Sequence, residues 1–112
     1  MSECIFCKIA EKKINAAVVR ENAKVMVIKD INPQAPMHLL IIPKAHYATL
    51  MDCDDKELLG ELLQTAQNIA RELGLEDRGF RTVINTNEEA GQTVFHLHMH
   101  FMAGRPLTGR MG

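Results

Sequence analysis

The spacing of apolar residues divides the chain into one long helical stretch and several short extended ones. From position 58 to position 73 apolar residues recur every three or four positions, which is the repeat of a helix with one buried face. Asp52 or Asp54 is expected to cap the start of this helix, and Gly74 is expected to end it in the left-handed conformation. The apolar positions of the helix are Leu58, Leu59, Leu62, Leu63, Ala66, Ile69, Ala70 and Leu73.

Short runs rich in Val, Ile and aromatic residues predict five strands, and an amphipathic run predicts a second helix. The expected strands span 17–20, 24–29, 38–42, 80–85 and 94–103, and the short helix spans 4–14. Two prolines make 31–36 an ordered loop. These elements predict an α+β fold, in which a five-stranded antiparallel sheet carries the long helix on one face. The opposite face is left for solvent, for a second subunit or for function.

Composition and charge are typical of a globular protein. The 112 residues are 46% hydrophobic and 24% charged, which suits one domain spanning 1–112. The formal net charge of −1 argues against general electrostatic binding to nucleic acid or to an anionic membrane. No apolar run nears the roughly 20 residues of a membrane-spanning helix, and the first four residues do not resemble a signal peptide. Three cysteines indicate a reducing, cytoplasmic compartment.

Histidine is unevenly distributed, because three of the five residues stand at the alternate positions 96, 98 and 100. Side chains alternate between the two faces of a strand, so these imidazoles are expected to share one face. Phe95, Leu97, Met99 and Phe101 are expected to pack on the other face, beneath the long helix. The outer two imidazoles would lie about 13 Å apart, so one metal ion cannot bind all three. At least one histidine therefore needs another role.

Clustered imidazoles suit chemistry at phosphorus near neutral pH. A neutral imidazole can attack phosphorus, carry protons and donate hydrogen bonds to phosphate oxygens. The preceding Gly91, Gln92 and Thr93 supply backbone N–H groups and a hydroxyl that suit a bound phosphate. Ordinary solvated histidines are the alternative interpretation, and strict alternation beside such a loop argues against it.

The segment 96–102, His-Leu-His-Met-His-Phe-Met, resembles the alternating motif of the histidine triad (HIT) superfamily. Further matches at 5–9, 30–38, 42–44 and 104–106 run through nearly the whole chain. They resemble the Hint branch, the histidine triad nucleotide-binding proteins, which include purine nucleoside phosphoramidases. The resemblance implies a HIT-like fold and a homodimer in which two five-stranded sheets form one ten-stranded sheet.

The same resemblance implies hydrolysis of the P–N bond of purine nucleoside 5′-phosphoramidates, such as amine adducts of AMP or GMP. The reaction would pass through a covalent nucleotidyl-histidine at His98, the position that matches the family nucleophile. His100 and His38 match residues beside the phosphate. Thr93 matches a position near the scissile bond, where its hydroxyl would pass a proton to the leaving amine. This chemistry needs no metal.

The resemblance also implies how the nucleotide is bound. Asp30 matches a carboxylate that binds the ribose hydroxyls, Ile31 matches a wall of the base pocket, and Asn85 matches a phosphate-side contact. The backbone of 91–93 is expected to cradle the phosphate. The implied nucleotide-binding residues are Asp30, Ile31, Asn85, Gly91, Gln92, Thr93, His98 and His100.

Two departures from the Hint pattern bear on specificity. The Hint branch usually has Ser where this chain has Thr93, whereas Thr is found in the fragile-histidine-triad branch, whose members cleave dinucleoside polyphosphates. Dinucleoside polyphosphate hydrolysis is therefore an alternative activity. The C-terminal tail of Hint proteins reaches the partner subunit's site, and here only 104–112 follow the last strand.

Cys4 and Cys7 form a Cys-x-x-Cys pair that two histidines could complete. Two half-buried thiols on an amphipathic helix are the alternative interpretation. His46 and His96 would add two imidazoles to two thiolates, giving the closed tetrahedral set of a structural zinc site. Some bacterial HIT proteins that begin with a similar segment bind zinc at matching positions. Cys53 is expected to be structural.

Two further classes of function stay open on the sequence. A binding module would hold nucleotides or a protein partner without turnover, although it would have no need for His98 in particular. A metal-dependent hydrolase would use the triad histidines as metal ligands, and a chelator would then abolish its activity.

Overall fold

The computed structural model describes residues 3–112, so Met1 and Ser2, part of the segment compared with a signal peptide, lie outside the described residues. The strands form one antiparallel sheet in the order β1-β2-β3-β5-β4. The prediction of a five-stranded antiparallel sheet with one long and one short N-terminal helix is confirmed. In chain order the elements are α1 (Ile5–Ala10), β1 (Val18–Glu21), β2 (Val25–Lys29), β3 (Met37–Pro43), α2 (Lys56–Glu72), β4 (Arg81–Val83) and β5 (Met99–Ala103).

The two faces of the sheet are covered by different helices. The α2 face holds the larger core, in which Leu62 from the helix packs with Ile41 and Phe101 from the sheet. On the other face, Phe6 and Ile9 of α1 pack with side chains of β2 and β3. β2 and β3 are therefore buried on both faces. This explains why the sequence of β3 is an unbroken apolar run rather than an alternating one. The face that the sequence left open is covered in part by α1.

The long helix begins later than predicted. Asp55 is its N-cap and accepts a hydrogen bond from the backbone N–H of Leu58, so the prediction of Asp52 or Asp54 is wrong. The Asp52 carboxylate is already engaged, because it accepts from the backbone N–H of Thr49 in a preceding 3-10 turn. Gly74 follows the helix at φ 67°, as predicted for a left-handed end.

The strand that carries the histidines is shorter than predicted, since β5 begins at Met99 and not at 94. The backbone before it bonds to a neighbouring loop instead of to the sheet: the Leu97 N–H donates to the carbonyl of Tyr47. Phe95 is 46% exposed and does not pack beneath α2, contrary to the prediction. Leu97, like Met99 and Phe101, is buried in the larger core as expected.

Two other predicted elements are also shorter in the structure. The short helix ends at Ala10 and not at 14, because the chain turns at Lys12, whose φ is 63°. The strand predicted at 80–85 pairs only over Arg81–Val83. Among residues 3–112, no helix combines the length and the apolar content needed to cross a bilayer.

Candidate active site

A cavity of about 600 Å³ opens between α1 and the sheet, next to the start of β5. Its floor is formed by β2 and β3, and its apolar walls come mainly from α1 and the segment that follows it. The polar groups at one end are His98, His100 and Thr93, and Asp30 lies nearby on the rim. The apolar lining residues are Ile5, Phe6, Ile9, Ile14, Ala16, Ala17, Ile28, Ile31, Leu40 and Val94.

His98 is held in one tautomer by the backbone. Its Nδ1 lies 2.7 Å from the carbonyl oxygen of His96, and since a carbonyl only accepts, Nδ1 carries the proton. In the neutral ring the other nitrogen, Nε2, is then unprotonated and has a free lone pair. The edge of Phe6 packs against the ring, with centroids 5.2 Å apart and an interplanar angle of 80°. The His98 ring is thus oriented by contacts on two sides beside the cavity, and a neutral imidazole held this way is chemically able to attack phosphorus.

His38 and His100 form a second pair whose tautomers are fixed by one backbone group. The N–H of Gln34 donates to Nδ1 of His38 at 2.9 Å, so the proton of His38 sits on Nε2. That nitrogen lies 2.9 Å from Nδ1 of His100, which must accept. His100 therefore carries its own proton on Nε2. The pair can offer a hydrogen-bond donor to a phosphate oxygen without bearing a positive charge.

Burial keeps His100 neutral. Burial first, then the neighbouring His98 and His38, lower the pKa of His100 to about 4, while Asp30 opposes them. Near pH 7 the donor from His100 is consequently a neutral N–H.

Asp30 and Ile31 line the mouth of the cavity. The Asp30 carboxylate accepts from the backbone N–H of Asn32 at 2.8 Å, and its other oxygen lies 3.3 Å from Nε2 of His38. Ile31 is fully exposed, so it forms an open edge of the cavity. Thr93 is exposed and lines the cavity on the side of His98.

Three residues expected at the nucleotide lie outside the lining of this cavity in the part of the chain that the structure describes: Asn85, Gly91 and Gln92. Asn85 is half-buried in the loop after β4. Gly91 adopts φ 87°, which favours glycine at the turn before Thr93. Gln92 is buried, and its amide accepts from one backbone N–H and donates to two carbonyls. Its side chain therefore holds the loop together.

The second predicted site lies on the other side of His96. Cys4, Cys7, His46 and His96 each direct one ligand atom into a common centre, and these four atoms all lie within 4.8 Å of one another. Nδ1 of His96 is 3.2 Å from Sγ of Cys4 and 3.6 Å from Sγ of Cys7. Nδ1 of His46 is 3.3 Å from Sγ of Cys7 and 3.2 Å from Nδ1 of His96.

These distances suit a tetrahedral zinc ion. Bonds of about 2.3 Å to sulfur and about 2.0 Å to nitrogen place neighbouring ligand atoms about 3.3–3.8 Å apart. Nε2 of His96 donates to the carbonyl of Pro43 at 2.7 Å, which leaves Nδ1 unprotonated toward the centre. Burial, opposed by the hydrogen bond to Pro43 and aided by His46 and His98, lowers the pKa of His96 to about 4. Burial, followed by Cys4, raises the pKa of the Cys7 thiol, so binding a cation there would release a proton.

Asp30, His38 and His100 also lie close enough together to be considered as metal ligands. The hydrogen bonds of His38 argue against that role, because its Nδ1 accepts from a backbone N–H and its Nε2 donates to His100. A metal there would have to displace the direct contact between the two rings.

Several contributors to the site were not found from the sequence. Phe6, which orients His98, and Ile5, Ile9 and Ile14, which line the cavity, were assigned only to an amphipathic segment. The half-exposed Ile5 beside a buried Phe6 is the signal that α1 has two apolar sides. The backbone groups that fix the tautomers carry no sequence signal.

Alternating histidines that lead into β5 of a five-stranded antiparallel sheet, beside an apolar cavity, define a histidine triad protein. Residues 11–107 match the HIT domain family, and the chain belongs to that family. It is 49% identical to Protein HitA of Neisseria gonorrhoeae over 96% of this chain and 100% of that protein. It is 40% identical to the purine nucleoside phosphoramidase of Escherichia coli K12 over 94% of this chain and 90% of the enzyme.

Solved structures agree with this assignment. The HIT family hydrolase from Legionella pneumophila superimposes with a TM-score of 0.94 at 46% identity, covering 98% of this chain and 100% of that one. A Zn-bound histidine triad family protein from Mycobacterium smegmatis superimposes with a TM-score of 0.83 at 36% identity, covering 93% of this chain and 76% of that one. A 14 kDa zinc-binding protein of Zea mays is 44% identical over 95% of this chain and 85% of that protein.

Proposed function

We propose that this protein hydrolyses the P–N bond of purine nucleoside 5′-phosphoramidates through a covalent intermediate on His98. One observation carries the proposal: the His96 carbonyl fixes the proton of His98 on Nδ1 and leaves Nε2 as a lone pair beside the cavity. The 40% identity to a purine nucleoside phosphoramidase supports the choice of substrate class.

The reaction has two displacement steps. Nε2 of His98 attacks the α-phosphorus and the P–N bond breaks. The leaving amine takes the proton of the Thr93 hydroxyl, which is replaced by a proton from solvent. The proton on Nδ1 of His98 stays there throughout, donated to the His96 carbonyl. Water then attacks phosphorus, the bond to Nε2 breaks, and the water proton leaves to solvent while the nucleoside monophosphate is released.

In this proposal His100 stabilises the negative charge on the phosphoryl oxygens by donating a hydrogen bond. Its Nε2–H is a donor because His38 donates to its Nδ1. A neutral donor gains strength as negative charge builds on these oxygens in the transition state. In this proposal Asp30 accepts from the ribose hydroxyls, and the apolar walls from α1, with Ile31 at the open edge, suit the flat face of a purine. The Gly91–Thr93 backbone and Asn85 remain proposed contacts on the phosphate side.

The decisive experiment traps the intermediate. The protein is mixed with an AMP amine adduct that reacts slowly, quenched, digested and analysed by mass spectrometry for an adenylyl group on His98. We expect the adduct on His98 in the wild type, and loss of both adduct and turnover in His98→Ala. Met51→Ala, at a side chain 75% exposed, serves as the matched control and keeps both. Unchanged hydrolysis in His98→Ala would contradict the mechanism and favour a binding module.

Thr93 keeps dinucleoside polyphosphate hydrolysis as the second candidate activity. Turnover of the AMP adduct and of diadenosine polyphosphates is compared under identical conditions. We expect faster turnover of the adduct, and preference for the polyphosphates would overturn the assignment.

We further propose that Cys4, Cys7, His46 and His96 hold a structural zinc ion. When bound, zinc would cross-link α1 to the sheet and would take no part in the reaction. Its support is the tetrahedral spacing of the four ligand atoms and the unprotonated Nδ1 of His96. A chelator is expected to lower stability, with hydrolysis surviving while the fold holds.

The protein is proposed to act as a cytoplasmic homodimer, without a nucleic acid or membrane partner. Leu63 on the outer side of α2 is 57% exposed, and such an apolar helix face suits pairing with a second copy. Light scattering measures the molar mass in solution, and a monomer would contradict this proposal.

A further inference from the structure

The end of β5 packs closely on the loop that leads into His38. Pairing of β3 with β5 places Ala103 opposite Met37, so the next residue, Gly104, lies against Pro36. A Cβ on Gly104 would lie only 2.9 Å from Cβ of Pro36, and its φ is 108°. Both features favour glycine, because any side chain would push the two segments apart.

Arg105 continues this contact with two hydrogen bonds. Its guanidinium donates to the backbone carbonyl of Gln34 at 2.9 Å and to the carbonyl of Pro106 at 2.9 Å. The second bond ties the guanidinium to its own segment, so the first bond holds Gln34 to the end of β5. Gln34 is the residue whose N–H donates to Nδ1 of His38.

We propose that Arg105 is a positioning residue for the His38–His100 pair, acting through Gln34 within the same chain. This inference rests on the proposed function for its kinetic test, although the geometry that carries it concerns the free protein. A continuous series of hydrogen bonds leads from Arg105 to Gln34, from Gln34 to His38 and from His38 to His100.

The Gln34 N–H is the group that donates to Nδ1 of His38, and with the Asp30 carboxylate oxygen 3.3 Å from Nε2 it favours the tautomer protonated on Nε2. When Gln34 moves away, Nδ1 of His38 loses its donor, and the tautomer with the proton on Nδ1 becomes accessible. That tautomer turns a lone pair of His38 toward Nδ1 of His100, and the donor toward the phosphoryl oxygen is no longer fixed. The loop has internal bonds of its own, such as Gln34 Nε2 to the Asn32 carbonyl. Arg105 adds the restraint from outside the loop.

The effect is expected on the chemical step and not on nucleotide binding. Arg105 lies outside the lining of the cavity in the described part of the chain, so Arg105→Ala should leave KM within about twofold. A sheltered hydrogen bond to a charged group changes an equilibrium constant by about tenfold or more, and one at an exposed site changes it by less. We therefore expect kcat to fall about three- to tenfold. Arg105→Lys keeps one donor for the Gln34 carbonyl and should recover most of the loss. Arg78→Ala, an exposed arginine on the turn after α2, is the matched control and should leave kcat unchanged.

A spectroscopic measurement on the free protein separates this inference from the proposed function. Long-range ¹H–¹⁵N NMR distinguishes the two neutral tautomers of a histidine. We expect His38 protonated on Nε2 in the wild type, Arg105→Lys and Arg78→Ala, and a mixture of tautomers in Arg105→Ala.

Two results would overturn the positioning role: a tautomer of His38 in Arg105→Ala identical to that of the wild type, or an Arg105→Ala defect confined to KM. Absence of phosphoramidate turnover in the wild type would refute the proposed function, and the tautomer measurement would still decide the role of Arg105.

Discussion

The depressed pKa of His100 makes a quantitative prediction about acid stability. An unfolded histidine titrates near pH 6.5, whereas burial, then His98 and His38, lower the pKa of His100 to about 4 in the folded protein. Between these values the unfolded chain binds a proton that the native state does not bind. Stability contributed by this residue is therefore complete above about pH 6.5 and falls as the pH is lowered toward about 4.

The size of the effect follows from the two pKa values. From pH 7 to pH 5 the full shift costs about 2 kcal/mol of unfolding free energy. His100 is half-buried, and allowing for solvent screening halves the expected loss to about 1 kcal/mol. Carboxylates bind few protons in this range, which keeps the interval informative.

Urea unfolding of wild type and His100→Gln at pH 7, 6 and 5, in the presence of a chelator, tests this prediction. The stability of the wild type relative to His100→Gln should decline by about 1 kcal/mol between pH 7 and 5. Met102→Leu, two positions along β5, does not titrate and should shift stability equally at each pH. A constant difference between wild type and His100→Gln would refute the claim that His100 is held neutral by burial.

Three further predictions concern the parts that support the site. Cys7→Ser should abolish tight zinc binding, measured as metal per chain by mass spectrometry, while Cys53→Ala in the main core should retain it; equal metal content would contradict the proposed ligand set. Phe6→Ala should lower unfolding free energy by about 2–4 kcal/mol in urea, because a buried ring is lost; a loss below about 0.5 kcal/mol would be inconsistent with its burial. Gln92→Ala should lower the free energy of unfolding by about 2–3 kcal/mol, since three hydrogen bonds are lost. The exposed Gln67→Ala is the control and should change it little. Equal melting temperatures of these two variants would count against the loop role of Gln92.

The periodicity of apolar residues predicted the long helix and the buried face of the histidine-bearing segment. The three- and four-residue repeat located α2, and the two-residue repeat placed Leu97, Met99 and Phe101 on the face beneath it. The same repeat misplaced Phe95. The reason is non-local: the segment before β5 is held by bonds to the loop at 47–48, far along the chain.

The candidate site shows the same division. Of the residues that the resemblance selected, five line the cavity: His98, His100, Thr93, Asp30 and Ile31. The other four lie outside its lining in the described part of the chain: His38, Asn85, Gly91 and Gln92. What it could not supply is the proton on each ring, because that depends on carbonyl and N–H groups of other residues, which any sequence provides.

The Cys and His cluster combined both kinds of information. The Cys-x-x-Cys spacing is visible within four residues, but its completion joins atoms from residues 39 and 92 positions apart. Here the chemistry of the donor set, and not spacing alone, selected His46 and His96.

His96 has a consequence for anyone who transfers this site to another scaffold. Its ring belongs to the Cys and His cluster, and its peptide oxygen orients the ring of His98. Grafting only the segment that carries the three histidines would leave the His96 ring without the other three side chains of that cluster. The His96 peptide, whose oxygen orients His98, would then be free to rotate. A minimal transplant thus includes Cys4 and Cys7 as well. Substitutions at position 96 will affect both the Cys and His cluster and the orientation of His98.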